Sequence, residues 1–392
     1  MSAVDISPDG IQVVCGMLNG SLGLLDISNQ DYRSLLRAHT DEILDVDYTH
    51  ANETAPGKYI SVSRDKTIRL WECSGAFDQI YEFSSPNDQA LCVAAHPSEQ
   101  LFACGFESGI VRIFDIEKTN VREDYNQFNL PVVSCVYSSD SRLLVTASRD
   151  GYLSIHNARI SRIGHQPIKM IDLDFPPDNV SVCFNNANSR FATIGNYGST
   201  INVYDTTVFT LRNQVLTKGH LARALAFSRD DAELVVMTTE MRIRFYSLKV
   251  FDGGFTRELN CVHRGNVNTL NFTNNGAYFA SGGDDHMVKV WDSEVKHNSP
   301  LFSQSFVGHI FGVKKVLFNP DNNAQLVSVG GKDGLFVWNF HGLIECEPAP
   351  VEGGVAVEEV VATGDEAKGE RSRKQIISQL EGAFTGGSHV EG

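Results

Sequence analysis

A bulky, mostly aromatic residue recurs along this chain at nearly constant spacing, and that period limits the fold more than any other feature. The residues are Leu25, Trp71, Phe114, His156, Tyr204, Tyr246, Trp291 and Trp338, with gaps of 46, 43, 42, 48, 42, 45 and 47 residues. The residue after each is an acid or an amide (Asp26, Glu72, Asp115, Asn157, Asp205, Asp292, Asn339), with Ser247 the exception. A repeat of about 40–45 residues implies that each unit is one supersecondary element burying its apolar face against its neighbours. The unit is clearest from His39 to Trp71. Ile43 to Tyr48 and Tyr59-Ile60-Ser61-Val62-Ser63 alternate apolar with polar residues, the period of half-buried strands. Arg64-Asp65-Lys66 then turns the chain into Thr67-Ile68-Arg69-Leu70-Trp71.

Turn-forming clusters lie between the strands, among them Ser7-Pro8-Asp9-Gly10, Thr273-Asn274-Asn275-Gly276 and Asn319-Pro320-Asp321-Asn322. Strands of small residues follow, as in Ala277-Tyr278-Phe279-Ala280-Ser281-Gly282-Gly283, and suit the crowded zone where units converge. Two connections, 49–58 and 158–167, are long, and long loops on a rigid scaffold are expected to carry function. Eight inner strand triplets and seven outer strands are readable. No outer strand precedes the first unit, which starts at Met1. The missing strand is expected in Leu343-Ile344-Glu345-Cys346, or upstream in a longer protein of which this chain is a C-terminal piece.

Ala38-His39, Val262-His263 and Gly308-His309 precede Trp71-Glu72, Trp291-Asp292 and Trp338-Asn339. With these motifs the chain resembles the WD-repeat family from residue 1 to about 342. The resemblance implies an all-β, WD-repeat β-propeller of seven or eight blades over residues 1–346. It also implies a hydrogen-bonded relay of His, Ser or Thr, Asp and Trp inside a complete blade. In the second repeat these are His39, Ser63, Asp65 and Trp71. The seventh supplies His263, Asp285 and Trp291, with Gly283 at the hydroxyl position. The eighth supplies His309, Asp333 and Trp338, with a turn one residue shorter. A buried His–Asp pair resembles part of a catalytic triad, but no Ser or Cys nucleophile recurs against it, so a structural role and no enzyme activity are expected.

Formal net charge is −15. The last 50 residues hold ten acids and four bases, so −9 remains on the repeats, a poor surface for replacing phosphate counterions. Nucleic acid is therefore not an expected partner. Residues 347–392 read as an acidic, mostly disordered tail, within which 370–384 could turn helical through Ile376, Ile377, Leu380 and Phe384. No apolar run approaches the roughly 18 residues of a membrane span, and Met1 to Asp5 does not read as a signal peptide. The eight cysteines are dispersed without a C-x-x-C pair, which points to reduced thiols and to no metal site. Gly282-Gly283-Asp284-Asp285 and Gly330-Gly331-Lys332-Asp333 precede no helix, so no phosphate or cofactor site is expected. Binding remains. Arg64, Lys66, Arg149, Arg264 and Lys332 should open on one propeller face as a basic cluster for an acidic partner surface.

Three stretches are more individual than the general repeat: Gly20-Ser21-Leu22-Gly23-Leu24-Leu25-Asp26, Cys104-Gly105-Phe106-Glu107-Ser108-Gly109, and the eighth repeat from Val307 to Trp338. Together they are similar to a centriole-wall and basal-body branch of WD-repeat proteins. That resemblance implies a scaffold in the cytoplasm and cytoskeleton, at centrioles, basal bodies or cilia. Its implied partners are other scaffold components of those organelles, and tubulin. The branch's microtubule-binding module lies N-terminal to its propellers and has no counterpart in this chain. The competing expectation is a general adaptor, for example a ubiquitin-ligase substrate receptor. Such receptors carry a Trp-Asp-x-Arg ending, which is missing from Trp71-Glu72-Cys73-Ser74, Trp291-Asp292-Ser293-Glu294 and Trp338-Asn339-Phe340-His341.

Overall fold

The computed structural model describes residues 2–49, 57–73, 78–84, 87–159, 166–173, 181–217, 219–239, 241–249, 254–260, 262–293, 303–331 and 334–340. Most of the two long connections, and the whole of 341–392 with its 370–384 segment and the Leu343 to Cys346 strand candidate, lie outside these residues. The described residues form eight antiparallel sheets in chain order, seven of four strands and a last one of three. The molecule is thus an eight-bladed β-propeller, which decides between the seven and eight blades that the repeats left open.

The innermost strands are Ala3–Ile6, Ile43–Tyr48, Ala90–Ala95, Val132–Tyr137, Val182–Phe184, Ala222–Phe227, Val267–Phe272 and Val313–Phe318. The recurring bulky residue always sits on the third strand, opposite an apolar residue of the second. Val13 faces Leu25, Tyr59 faces Trp71, Phe102 faces Phe114, Phe191 faces Tyr204 and Phe279 faces Trp291. Phe102 and Phe114 stack at 4.8 Å, and Phe191 and Tyr204 at 5.1 Å, so this cross-strand pair anchors each blade. The second strands Leu101–Phe106 and Leu143–Ser148 are buried along their whole length. Burying each large apolar side chain there contributes about 1.5–3 kcal/mol.

The core consists of seams between blades. Ile60, Val62, Ile68 and Leu70 of blade 2 pack with Val93, Phe102 and Phe106 of blade 3. Val4, Ile6, Val13 and Cys15 of blade 1 pack with Val327, Val329 and Leu335 of blade 8, and this contact closes the ring. Close approach explains the small residues on second strands. A Cβ on Gly16, Gly105 or Gly282 would lie 2.5 Å from a methyl of Ile43, Val132 or Val313, the first inner-strand residue of the next blade.

Inner strands cannot pair with one another as a sheet, so their free edges need other partners. Side chains supply them in a repeated register. Asp45 of blade 2 accepts Val93 N–H at 3.1 Å, and Asp47 accepts Ala95 N–H at 2.7 Å. In blade 7, Thr269 Oγ1 accepts Val316 N–H at 3.2 Å and Asn271 Oδ1 accepts Phe318 N–H at 3.0 Å. A register shift before Asp45, Thr269 and Lys315 re-aims these residues toward the neighbouring blade. The ring closes in the same way, with Lys315 Nζ donating to Val4 O at 2.9 Å and Asn319 Nδ2 to Gly10 O at 2.8 Å.

Candidate functional site

In blade 2 the loop before the inner strand carries His39, and the turn after the second strand carries Asp65. His39 Nδ1 lies 3.0 Å from Asp65 Oδ2, and Nε2 lies 2.7 Å from Ser61 Oγ. Trp71 Nε1 donates to the same Ser61 Oγ at 2.8 Å. The partners fix the tautomer. Nδ1–H donates to the carboxylate, and Ser61 O–H donates to Nε2 while accepting the indole N–H. Although burial pushes Asp65 up, hydrogen bonds from His39, Thr67 and the Thr40 N–H outweigh it and hold the carboxyl well below its usual range.

The hydroxyl is therefore Ser61 and not Ser63. Ser63 Oγ instead donates to Asp41 O at 3.0 Å and accepts Asp65 N–H at 3.2 Å, bracing the turn. Both serines lie on one face of the strand, so alternation cannot choose between them. The length of the indole does. Trp71 pairs with Tyr59, and its Nε1 reaches two residues further along that strand. The same correction completes blade 7. Ser281 Oγ, not a residue at position 283, lies 2.8 Å from His263 Nε2 and accepts Trp291 N–H at 3.0 Å. His263 Nδ1 is 2.7 Å from Asp285, whose carboxyl burial pushes up but whose bonds to His263 and Arg264 N–H hold at about 2. In blade 8 Ser328 joins His309 and Trp338, both at 2.7 Å, while Asp333 lies outside the described residues.

Blade 4 is built differently. His156 occupies the tryptophan position and pairs with Leu144. Its Nε2 is 2.8 Å from Ser154 Oγ, which donates to Gln127 Oε1 at 2.5 Å. Burial depresses the imidazole to about 4, so it is neutral. The serines that face these histidines, Ser61, Ser154, Ser281 and Ser328, are fully buried, so their hydroxyls tie the blade together and are closed to a substrate. Among the described residues the cysteines are free thiols, and burial raises Cys15 and Cys183 to about 12. Such thiols stay protonated near neutrality. Cys92 and Cys135 approach at 3.5 Å across the seam of blades 3 and 4.

The face bearing the relay histidines and aspartates is the candidate interaction surface. Arg64, Lys66, Arg149 and Arg264 are exposed there, while Lys332 lies outside the described residues. They do not form one patch. Arg64 and Lys66 sit in the turn of blade 2, Arg149 in that of blade 4 and Arg264 in the loop entering blade 7, with whole blades between them. Arg64 also spends part of its charge on Glu42, at 2.8 Å. What the sequence did not reveal is a cavity of about 500 Å³ on this face where blades 7, 8, 1 and 2 meet. Leu18, Leu44 and Phe311 give it an apolar wall, and Glu42, Asp284 and Lys314 a charged rim. Its residues come from the two ends of the repeat array, Ser2 to Leu44 and Asp284 to Gly331, so only ring closure assembles it.

Fold and relay together define a WD-repeat β-propeller. Within that class, the chain belongs to the family described as WDR90/POC16, second beta-propeller, which matches residues 51–339. It is 30% identical to WD repeat-containing protein 90 of Xenopus tropicalis over 356 residues, covering 87% of this chain and 18% of that protein. The Homo sapiens WD repeat-containing protein 90 is 28% identical over 86% of this chain and 19% of its own length. The chain thus spans about a fifth of these relatives. Cilia- and flagella-associated protein 52 of Homo sapiens is 23% identical over 80% of the chain and 48% of its own length. Among solved structures, Sqt1 from Chaetomium thermophilum superposes with a TM-score of 0.74 at 20% identity, covering 86% of this chain and 96% of Sqt1. That likeness concerns the fold.

Proposed function

We propose that this chain is a non-enzymatic protein-interaction scaffold of centrioles, basal bodies or cilia, acting in the cytoplasm on the cytoskeleton. In this reading residues 1–346 are the propeller module and 347–392 an acidic tail. The observation that carries it is membership of the WDR90/POC16 second-propeller family, with a cilia- and flagella-associated protein among the further relatives. The chemistry supports it. The relay histidines are each occupied within their own blade, and the Cys15 and Cys183 thiols stay protonated near neutrality. Its partners are other proteins, namely scaffold components of those organelles and tubulin. The relay face is the surface we assign to them, with exposed cations around its rim and an apolar-walled cavity near its centre.

Proximity labelling in ciliated cells tests this. The chain fused to a promiscuous biotin ligase should label centriolar or ciliary components and tubulin above a diffusible control. Preferential labelling of ubiquitin-ligase subunits would favour the adaptor reading and overturn this one. Charge reversal of Arg64 and Arg149 together should lower the labelling if the relay face is the surface used. Unchanged labelling would move the contact elsewhere.

A further inference from the structure

The seam between blades 3 and 4 is tied differently from those described above. Asp45 and Asp47 link blade 2 to the amides of Val93 and Ala95, and Thr269 and Asn271 link blade 7 to those of Val316 and Phe318. In the same register blade 3 places Cys92 and Ala94, and blade 4 places Cys135 where Val93 and Val316 stand. Alanine offers no acceptor, and a thiol is a weak one. Apolar packing and two sulfurs in contact fill this seam instead. Cys92 Sγ lies 3.5 Å from Cys135 Sγ and 3.8 Å from Val132 O. The sulfurs of a disulfide are about 2 Å apart, so bonding these two takes a closure of roughly 1.5 Å between neighbouring strands. We propose that Cys92 and Cys135 form a reversible disulfide under a peroxide oxidant, a staple between the inner strands of blades 3 and 4 where Cys92 and Ala94 supply no oxygen-to-amide link.

The reaction balances with peroxide as the only added reagent. One thiolate attacks the peroxide O–O bond and becomes a sulfenic acid, and the hydroxide released takes up the thiol proton as water. The second thiolate then attacks the sulfenic sulfur. An S–S bond forms, the S–O bond breaks, and the hydroxide leaves as a second water with the second thiol proton. Two thiols and one peroxide thus give one disulfide and two waters, with two electrons passing from the sulfurs to the peroxide oxygens. Exchange with a dithiol reverses the step. The surroundings set rate and partner. The bond to Cys92, and then burial, hold the Cys135 thiol well above its usual range, so its thiolate is scarce near neutrality and the staple forms slowly. Cys92 is 7% exposed and Cys135 8%, which favours a small peroxide over bulky thiol reagents. Cys104 of the same blade packs with Ile60, Val62 and Ile68 in the seam of blades 2 and 3, whereas Cys92 and Cys135 share the seam of blades 3 and 4. Alternation along the strands therefore separates Cys104 from the pair.

The test treats the full chain with hydrogen peroxide under native conditions, blocks the remaining thiols in denaturant, and maps cross-linked peptides by mass spectrometry. The expected main product is a Cys92–Cys135 cross-link that disappears with dithiothreitol and persists in Cys104→Ser. Urea unfolding should then give a higher midpoint for the oxidised than for the reduced wild type, because the cross-link joins residues 43 positions apart and restricts the unfolded chain. Cys135→Ser should show no such shift. Oxidation of the two sulfurs only to sulfinic or sulfonic acid would overturn the proposal, as would a main cross-link from Cys92 to Cys104. Equal midpoints for cross-linked and reduced wild type would overturn the staple. If Cys135→Ser fails to fold, the wild-type map and the two wild-type midpoints decide alone.

Discussion

Replacing Ser61 with alanine removes one oxygen that serves two buried partners in blade 2. Trp71 Nε1 loses its acceptor at 2.8 Å, and His39 Nε2 loses its donor at 2.7 Å. His39 is 1% exposed and Trp71 4%, so water cannot readily replace the hydroxyl. Leaving one buried polar group unpaired costs about 1–3 kcal/mol, and two such groups together about 2–4 kcal/mol once the site relaxes. Ser63→Ala is the matched control, since it deletes the same atom two residues away on the same face. Its partners, Asp41 O and Asp65 N–H, lie at the edge of the turn where water can substitute, so about 1 kcal/mol is expected. Urea unfolding followed by circular dichroism and tryptophan fluorescence measures both. A Ser63→Ala loss equal to or greater than that of Ser61→Ala would refute the reasoning, because it would put the relay hydroxyl back at position 63.

Three further outcomes follow from the same geometry. Asp285 is held at about 2 against an ordinary 3.8, so its stabilisation is present above 3.8 and lost as pH falls toward 2. Asp285→Asn should therefore lack on the order of 2 kcal/mol of the acid-limb destabilisation of the wild type, read by denaturation between pH 4 and pH 2. Phe102→Ala opens a cavity between Phe83 and Phe114 and should cost about 3–5 kcal/mol by the same assay. Gly10→Ala meets both a left-handed backbone (φ +68°) and Asn319, whose Oδ1 would lie 1.9 Å from the new Cβ. It should loosen the seam of blades 8 and 1, seen as faster amide exchange at position 10 and at Gln325 than in the unchanged blades.

The architecture was readable because the period, the bulky third-strand residue and the turn clusters are local features that ring closure leaves unchanged. Trp71, Trp291 and Trp338 stand where that alignment put them, each opposite an apolar second-strand residue. The choice of Ser63 over Ser61 failed for a local reason, since two serines on one strand face differ only in how far an indole can reach. Other features were hidden by distance in the chain. The bonds from Asp45 to Val93 and from Lys315 to Val4 link residues 48 and 311 positions apart, and nothing in either segment marks its partner. Arg64, Lys66 and Arg149 lie in strand-to-strand turns and Arg264 in the loop entering blade 7. Their sequence neighbours gave no sign that intervening blades keep them apart, or that Glu42 takes up Arg64.

The central claim is that this propeller acts as a scaffold at centrioles or cilia. Expansion microscopy of the tagged chain, in cells with basal bodies and a tubulin counterstain, tests it most directly. The account predicts signal concentrated on or beside the microtubule walls of centrioles, basal bodies or axonemes, reduced when the blade 2 relay is broken by Ser61→Ala. An evenly diffuse cytosolic signal for a folded, expressed chain would contradict it.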